Sequence, residues 1–380
     1  MSLDDDTSSA STLTLLDDYA FKSDLLTMMS DTGQETNDQL KRRAKAVLLE
    51  MGSTLTSVHE VKTFNILDAM MEGAEKAGLS SGVRYAAAAI IVAYQKGKAS
   101  NSSASELTNS VVHDRTVKKA YRAANSPQLE ISTPSLRASE VVADTVPATS
   151  RGSQFRDSIS ERDGNKCVLT GILNINKGPY PPGTEGSEGV LYAAHILRRS
   201  IVQEQSRNNR VAGMIDIIKH YTKLHEDIID NLAGIIDNPE NGMLLDATCH
   251  GGFDSYMWCL HPTDASHKYT VHWLRRVPLG MEAFTEVQFQ DHSQSGIPLP
   301  NPTFIALHSA VAHVLHLSGA AEVIDKVYDA FSDDGFATPI TNEPAGVRES
   351  IHILNGLSET RQVFAAKGLR RDNKGITNLE

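Results

Sequence analysis

Four polar residues near the middle of the chain have the types and spacing required for metal-assisted hydrolysis. His195 closes an apolar stretch, Asn241 lies in a turn, and His250 and Asp254 are four positions apart. Residues four apart share one face of a helix, so an imidazole and a carboxylate placed in this way can bind one cation together. The pair suits Mg2+, Mn2+, Zn2+ or Ni2+ and leaves positions open for substrate oxygens. The sequence therefore predicts one divalent metal ion on His250 and Asp254.

His195 is the candidate general base beside that ion. An imidazole titrates near neutral pH, so a histidine that faces the metal could take a proton from water attacking a phosphodiester. Asn241 could fix the imidazole ring by a hydrogen bond. Arg198 and Arg199 follow the histidine closely, and we expect them to bind phosphate.

Short elements must position these residues. Residues 190–194 predict an apolar strand that ends at His195, and residues 243–246 predict a second strand. Residues 247–259 have the pattern of a helix, despite two glycines. Before them, we predict a short helix at 155–163 and a strand at 166–170. The candidate site residues therefore lie on two strands and a helix, close to the junctions between them.

This arrangement resembles the HNH endonuclease superfamily, which is built on the ββα-metal fold. Three pieces carry the resemblance: Ala193-Ala194-His195-Ile196, Glu240-Asn241-Gly242, and His250-Gly251-Gly252-Phe253-Asp254. Residues 167–171 (CVLTG) and 302–308 (PTFIALH) are similar to a subfamily of predicted fungal HNH nucleases. The resemblance covers about residues 153–330.

The resemblance implies a metal-dependent endonuclease acting on DNA, with RNA as the other possible substrate. It makes His195 the general base, Asn241 the orienting residue, and His250 and Asp254 the metal ligands. Many HNH enzymes carry an Asp or His ligand directly before the base, and here that position is Ala194. The alternative is a catalytically weakened HNH module that serves as a binding or scaffold protein.

The expected fold class is α+β: a ββα-metal HNH core with a helical C-terminal extension, preceded by a mostly α-helical N-terminal region. Apolar residues at helical spacing predict helices near 40–49, 65–77, 83–94 and 113–124. The predicted organisation is a helical region at 1–125, a linker at 126–152, the nuclease domain with its extension at 153–335, and a tail at 336–380. Nothing in the sequence indicates an oligomeric state.

Composition restricts the partners and the compartment. The formal net charge is −11, so no chain-wide basic field attracts nucleic acid, and any such surface must be local. Residues 195–223 are locally basic. No stretch approaches the ~20 apolar residues that cross a bilayer, and the acidic N-terminus is unlike a signal peptide. We therefore expect an intracellular protein, in the cytoplasm or the nucleus, without a membrane partner.

The remaining metal-binding residue types have simpler interpretations in the sequence. Three cysteines exclude a zinc site made of four cysteines from this chain. Cys167 and Cys249 are expected to be small buried apolar residues rather than ligands. His308, His313 and His316 lie on one apolar segment, which predicts a packing helix in preference to a metal site.

Overall fold

The computed structural model describes residues 19–52, 55, 57–58, 61–99, 150–198 and 218–325. The predicted helix at 113–124, most of the predicted linker, the predicted tail and Arg199 lie outside these ranges. The described part contains helices and small sheets, so the α+β fold class is confirmed. None of the described helices is both long enough and apolar enough to cross a membrane.

Helices dominate the N-terminal region, as predicted. Residues 19–30 are helical, and three further helices follow: α1 Asn37–Met51, α2 Thr63–Lys76 and α3 Ser80–Ala99. Between α1 and α2, a minimal antiparallel pair joins β1 (Ser57–Val58) to β2 (Val61–Lys62). Helix α1 begins with a capping box, in which Thr36 and Gln39 satisfy each other's backbone amides. The predicted helices at 40–49, 65–77 and 83–94 are confirmed.

The second region contains the predicted pair of strands and the helix that follows it. Strand β5 (Leu191–His195) pairs antiparallel with β6 (Gly242–Asp246), and α7 (Ala247–Asp254) comes directly after β6. The other elements of this region are α4 Ser150–Arg162, β3 Leu173–Asn174, β4 Glu188–Gly189, α5 Glu226–Asp230 and α6 Leu232–Ile235, with β3 parallel to β4. The strand–strand–helix order around the candidate site is therefore present.

Two predicted elements differ from the structure. Residues 166–170 form a tight turn, apart from one bridge at Lys166, because Gly171 has φ +72° and its amide donates to the Cys167 carbonyl. The helix predicted over 247–259 ends at Asp254, because Tyr256 has φ +55° and turns the chain out of the helix. The residues that follow start a sheet instead.

That sheet has three antiparallel strands, β7 Trp258–Pro262, β8 Lys268–Trp273 and β9 Glu286–Gln288, and is followed by α8 Pro302–Leu317. Helix α8 packs against both β7 and α2. The approach to α2 is close: a β-carbon at Gly73 would lie 2.9 Å from the carbonyl oxygen of Ala310. The buried apolar side chains form one cluster that includes both the N-terminal helices and the second region.

Candidate active site

The β5–β6 pair brings His195 opposite Gly242. A β-carbon at Gly242 would collide with the side chains of Phe155 and Ile159 on α4. Helix α4 therefore packs directly on this end of the hairpin, on the face to which His195 and Gly242 both belong, because cross-strand partners share a face. The glycine provides the room that α4 occupies.

The imidazole of His195 is buried and held on two sides. It is 8% exposed, and it stacks on the ring of Phe155 with centroids 4.1 Å apart and planes 12° apart. Its Nε2 lies 3.0 Å from Oδ1 of Asp237. Its Nδ1 is buried and has no hydrogen-bond partner among the described residues. With Nε2–H donating to the carboxylate, the lone pair lies on Nδ1, which is the state of a general base.

Asn241 holds the backbone around His195 rather than its ring. Its Oδ1 accepts from the amide of Leu197 at 2.7 Å, and its Nδ2 donates to the carbonyls of Leu197 and Ile236 at 2.9 and 2.8 Å. The side chain is fully buried. Asn241 therefore fastens the segment that leaves β5 to the turn that enters β6, and the orienting bond to the imidazole comes from Asp237.

A buried ion pair supports the same turn. Arg162, which is 0% exposed, forms an ion pair with Asp163 at 2.7 Å and donates to the carbonyls of Pro239 and Gly242. Asp163 accepts from the amide of Leu244 in β6 at 2.8 Å. Burial raises the pKa of Asp163 against the effect of Arg162. The end of α4 thus fixes both sides of the turn that carries Asn241.

The predicted metal ligands face each other on α7. Nε2 of His250 lies 3.2 Å from Oδ2 of Asp254, yet it is buried and has no hydrogen-bond partner within the described part of the chain. The ring stacks on Tyr192 at 5.3 Å with an 8° interplanar angle, which fixes its orientation. An unpaired imidazole nitrogen beside a carboxylate oxygen is a donor set that suits a divalent cation, so these residues fit the predicted metal.

The base and the ligand pair lie on different faces of the hairpin. Tyr192 contacts His250 on α7, whereas His195 contacts Phe155 on α4. Side chains three positions apart on a strand point to opposite faces. By the same alternation Ala194 shares the α7 face with Tyr192, and it is fully buried there.

Arg198 reaches the α7 side. Its guanidinium donates to the carbonyl oxygen of Asp254 and lies 4.7 Å from the ring centroid of Tyr256. The side chain of Arg198, three residues after His195, therefore contacts the C-terminal end of α7. Arg199, the other predicted phosphate ligand, lies outside the described residues.

A second group of potential ligands lies at the opposite end of α7. Cys167, Asp246 and Cys249 are all buried, and their ligand atoms lie within 4.8 Å of one another. Oδ2 of Asp246 accepts from the Cys167 thiol at 3.2 Å and the Thr170 hydroxyl at 2.9 Å, while Oδ1 caps α7 by accepting from the Thr248 and Cys249 amides. Both carboxylate oxygens of Asp246 and the Cys167 thiol are thus already engaged in hydrogen bonds.

A third group joins β7 to α8. Cys259, His261 and His313 also have ligand atoms within 4.8 Å of one another. Burial lowers the pKa of His261 to about 3 and that of His313 to about 4, so both rings are neutral at pH 7. Burial raises the pKa of the Cys259 thiol to about 11. His313 lies on α8, which the sequence predicted to be a packing helix without a metal site. That prediction did not include Cys259 and His261 as neighbours of His313.

Sequence reasoning missed Asp237 and this third group. Asp237 precedes an Asn-Pro turn, which is a common place for a carboxylate. Neither its residue type nor its position therefore indicated a contact with His195. Cys259 and His261 alternate along one strand, so they share a face, and that spacing was the available signal. His313 is 52 positions further along the chain than His261.

The central part of this region is similar to a known protein family. Residues 167–261 match the family model described as HNH endonuclease. The match includes the hairpin, α7 and all four candidate residues from His195 to Asp254, and it supports the HNH superfamily for this segment. No curated protein and no solved structure matches the chain.

Proposed function

Starting from an HNH endonuclease domain at residues 167–261, we propose that the chain is a metal-dependent endonuclease that hydrolyses DNA phosphodiester bonds. RNA is the alternative substrate, since HNH nucleases act on nucleic acid. The observation that carries the proposal is the environment of His195 at the end of β5: a carboxylate oxygen lies at Nε2, and Nδ1 has no hydrogen-bond partner among the described residues.

His195 Nδ1 is the atom that takes the proton from the attacking water. Because this atom is buried, the water must reach it through a local opening at the strand end. The imidazolium that results carries a positive charge, and Asp237 stabilises it through Nε2–H, as a carboxylate does for the histidine of a catalytic triad. Phe155 keeps the ring in plane with this bond by stacking on it. Asn241 acts as a positioning residue, since its three hydrogen bonds fix the backbone on both sides of the strand end.

His250 and Asp254 are the proposed ligands of one divalent cation: Mg2+, Mn2+, Zn2+ or Ni2+. When bound, such a cation stabilises the charge on the scissile phosphate and on the leaving 3′ oxygen. Tyr192 holds the imidazole of His250 so that Nε2 faces the carboxylate of Asp254. With Ala194 in place of a third ligand, water and substrate would fill the remaining positions.

The strand end is where a phosphate could touch both faces of the hairpin. His195 lies on the α4 face, and Arg198 already contacts the end of α7 beside Asp254. A phosphate bound there would meet the base from one side and the ligand pair from the other, with Arg198 and Arg199 supplying positive charge. We also propose that the chain belongs to the subfamily of predicted fungal HNH nucleases. Its proposed location is the cytoplasm or the nucleus.

The metal dependence of plasmid cleavage tests this function. Supercoiled plasmid is incubated with the full chain and Mg2+, Mn2+, Zn2+ or Ni2+ in turn, beside His250→Ala, Asp254→Ala and His225→Ala. His225 is 74% exposed and serves as the matched histidine control. We expect nicking that depends on added metal, retained in His225→Ala and lost in the two ligand variants.

Plasmid that stays intact with every metal contradicts the nuclease proposal. If the intact plasmid nevertheless shifts in a gel with the protein, the chain is a binding module with an inactive HNH site. Ala194, the apolar residue at a customary ligand position, is the feature that favours this second function.

A further inference from the structure

Three potential metal ligands converge between β7 and α8. Nε2 of His313 lies 2.7 Å from Nε2 of His261 and 3.9 Å from Sγ of Cys259. The two imidazole nitrogens share a hydrogen bond, so both rings direct Nε2 to one point, and the Cys259 sulfur lies beside it. Cys259 is fully buried and His313 is 5% exposed, so water competes little for these atoms.

The chemistry of the three ligands selects the ion. Thiolate and imidazole together favour zinc, which binds sulfur at about 2.3 Å and histidine nitrogen at about 2.0 Å in a tetrahedron. With these bond lengths the two imidazole nitrogens would stand ~3.3 Å apart, so they need to separate by about 0.6 Å from their present 2.7 Å. His261 is only half-buried and stacks on the exposed His272 at a ring-centroid distance of 3.6 Å, so this shift requires the His272 ring to move with it toward solvent.

We propose that Cys259, His261 and His313 bind a zinc ion that fastens helix α8 to the sheet. Two ligands come from β7 and one from α8, and water would complete the tetrahedron. On binding, the Cys259 thiol releases its proton to solvent and the thiolate sulfur forms the bond to zinc. The imidazole that donates in the His261–His313 hydrogen bond takes the tautomer with its proton on Nδ1, so that both Nε2 lone pairs can bind the ion. The site is separate from His250 and Asp254, which both lie on α7.

The position of the site gives it a structural role. His313 lies on the part of α8 that packs against Gly73 of α2, where a β-carbon on the glycine would stand 3.2 Å from the His313 Cβ. An ion that fixes His313 to β7 therefore also fixes the surface on which the N-terminal helices rest. Zinc would link the HNH domain to the helical N-terminal region.

Cobalt substitution tests the proposal on the full chain. The protein is purified under reducing conditions, any affinity tag is removed, bound metal is stripped with a chelator, and Co2+ is added. We expect visible bands of tetrahedral cobalt together with a near-ultraviolet thiolate-to-cobalt band. The thiolate band excludes the His250–Asp254 pair, which contains no sulfur, and the variants separate this site from the group of Cys167, Asp246 and Cys249. Zinc should displace the cobalt stoichiometrically.

Variants assign the ligands. Cys259→Ser should abolish the thiolate band, and His261→Gln should weaken zinc binding at least tenfold while leaving the fold unchanged, as circular dichroism would verify. Because His261 is half-buried, this variant remains informative even if Cys259→Ser does not fold. Cys167→Ser and His225→Ala are the matched controls and should bind as the parent does.

Three results would overturn the proposal. The first is a reduced parent protein that shows no thiolate band with cobalt. The second is a band that survives in Cys259→Ser and is lost in Cys167→Ser, which would assign the metal to the group around Asp246. The third is unchanged zinc affinity in a folded His261→Gln variant.

Discussion

Asp237 Oδ1 lies 3.0 Å from His195 Nε2, across 42 positions of sequence. A carboxylate accepts hydrogen bonds, so this contact favours the tautomer with the proton on Nε2 and the lone pair on Nδ1. The carboxylate is 18% exposed and the imidazole 8% exposed, so the pair is largely shielded from water. The hydrogen bond links the turn before β6 to the end of β5, where the HNH chemistry is proposed to occur.

Asp237→Asn should slow cleavage by roughly a hundredfold or more, because an amide can favour the other tautomer and cannot stabilise an imidazolium. The effect should fall on kcat, with KM for DNA and metal affinity nearly unchanged. Steady-state rates measured from pH 5 to 9 provide the check. Asp227→Asn, at an exposed carboxylate, is the control. Equal rates in both variants would remove Asp237 from the mechanism.

Ala194→Asp should tighten binding of the cation on His250 and Asp254. Position 194 lies on the α7 face of β5, so a carboxylate there would point to the side that carries the two ligands. We expect a gain of about tenfold, which corresponds to about 1.4 kcal/mol, measured by calorimetric titration with Mn2+. Ala193→Asp, on the opposite face, is the matched control. An equal gain in both variants would mean that charge alone, and not position, is responsible.

Lys76→Met should tighten zinc binding at Cys259, His261 and His313 several-fold. The positive charge of Lys76 lowers the pKa of His261, His272 and His313 in addition to the effect of burial, so it must also repel a cation held by these rings. Lys166→Met, at another exposed lysine, is the control. Competition with a chelating dye gives the affinities, and weaker binding in Lys76→Met would contradict the expected repulsion.

Asp246 should make the fold sensitive to acid. Burial raises the pKa of this carboxyl, but hydrogen bonds from the Cys249 amide and the Cys167 and Thr170 side chains lower it further, so the net shift is downward. A carboxyl whose pKa is lower in the folded state stabilises that state at pH values above its pKa in the unfolded chain, about 3.9. The folded protein loses this stabilisation as the pH falls through the pKa of the folded state.

The variant Asp246→Asn keeps the cap of α7, since asparagine caps as well as aspartate, but it removes this titration. Urea unfolding at pH 7 and pH 3 should show a smaller loss of stability for Asp246→Asn than for the parent. If the parent and the variant lose the same free energy, Asp246 does not contribute to the acid sensitivity.

The sequence was most informative where contacts are local. The spacing of apolar residues predicted α1 to α3, and the four-residue step predicted that His250 and Asp254 would face each other. It was wrong where one residue changed the backbone, as at Tyr256, whose positive φ ends α7 before the predicted residue 259. In the sequence, residues 255–259 continue the helical pattern that begins at residue 247. In the structure, residues 258 and 259 belong instead to strand β7, which pairs with β8.

Partners that come from distant segments could not be predicted. Asp237 reaches His195 only because Asn241, Arg162 and the hairpin bring the turn to the strand end. In the same way, His313 reaches His261 only because α8 packs on β7. A single sequence contains the residue types for both contacts, but the packing that brings them together is a property of the fold.

The role of His195 is tested most directly by His195→Ala, with plasmid cleavage and metal binding measured on the same preparation. A base is not a ligand, so the account predicts a cleavage rate reduced by at least roughly a hundredfold and a Mn2+ affinity within about twofold of the parent. Cleavage at the parental rate, or loss of metal binding together with cleavage, would contradict the assignment of His195 as the general base.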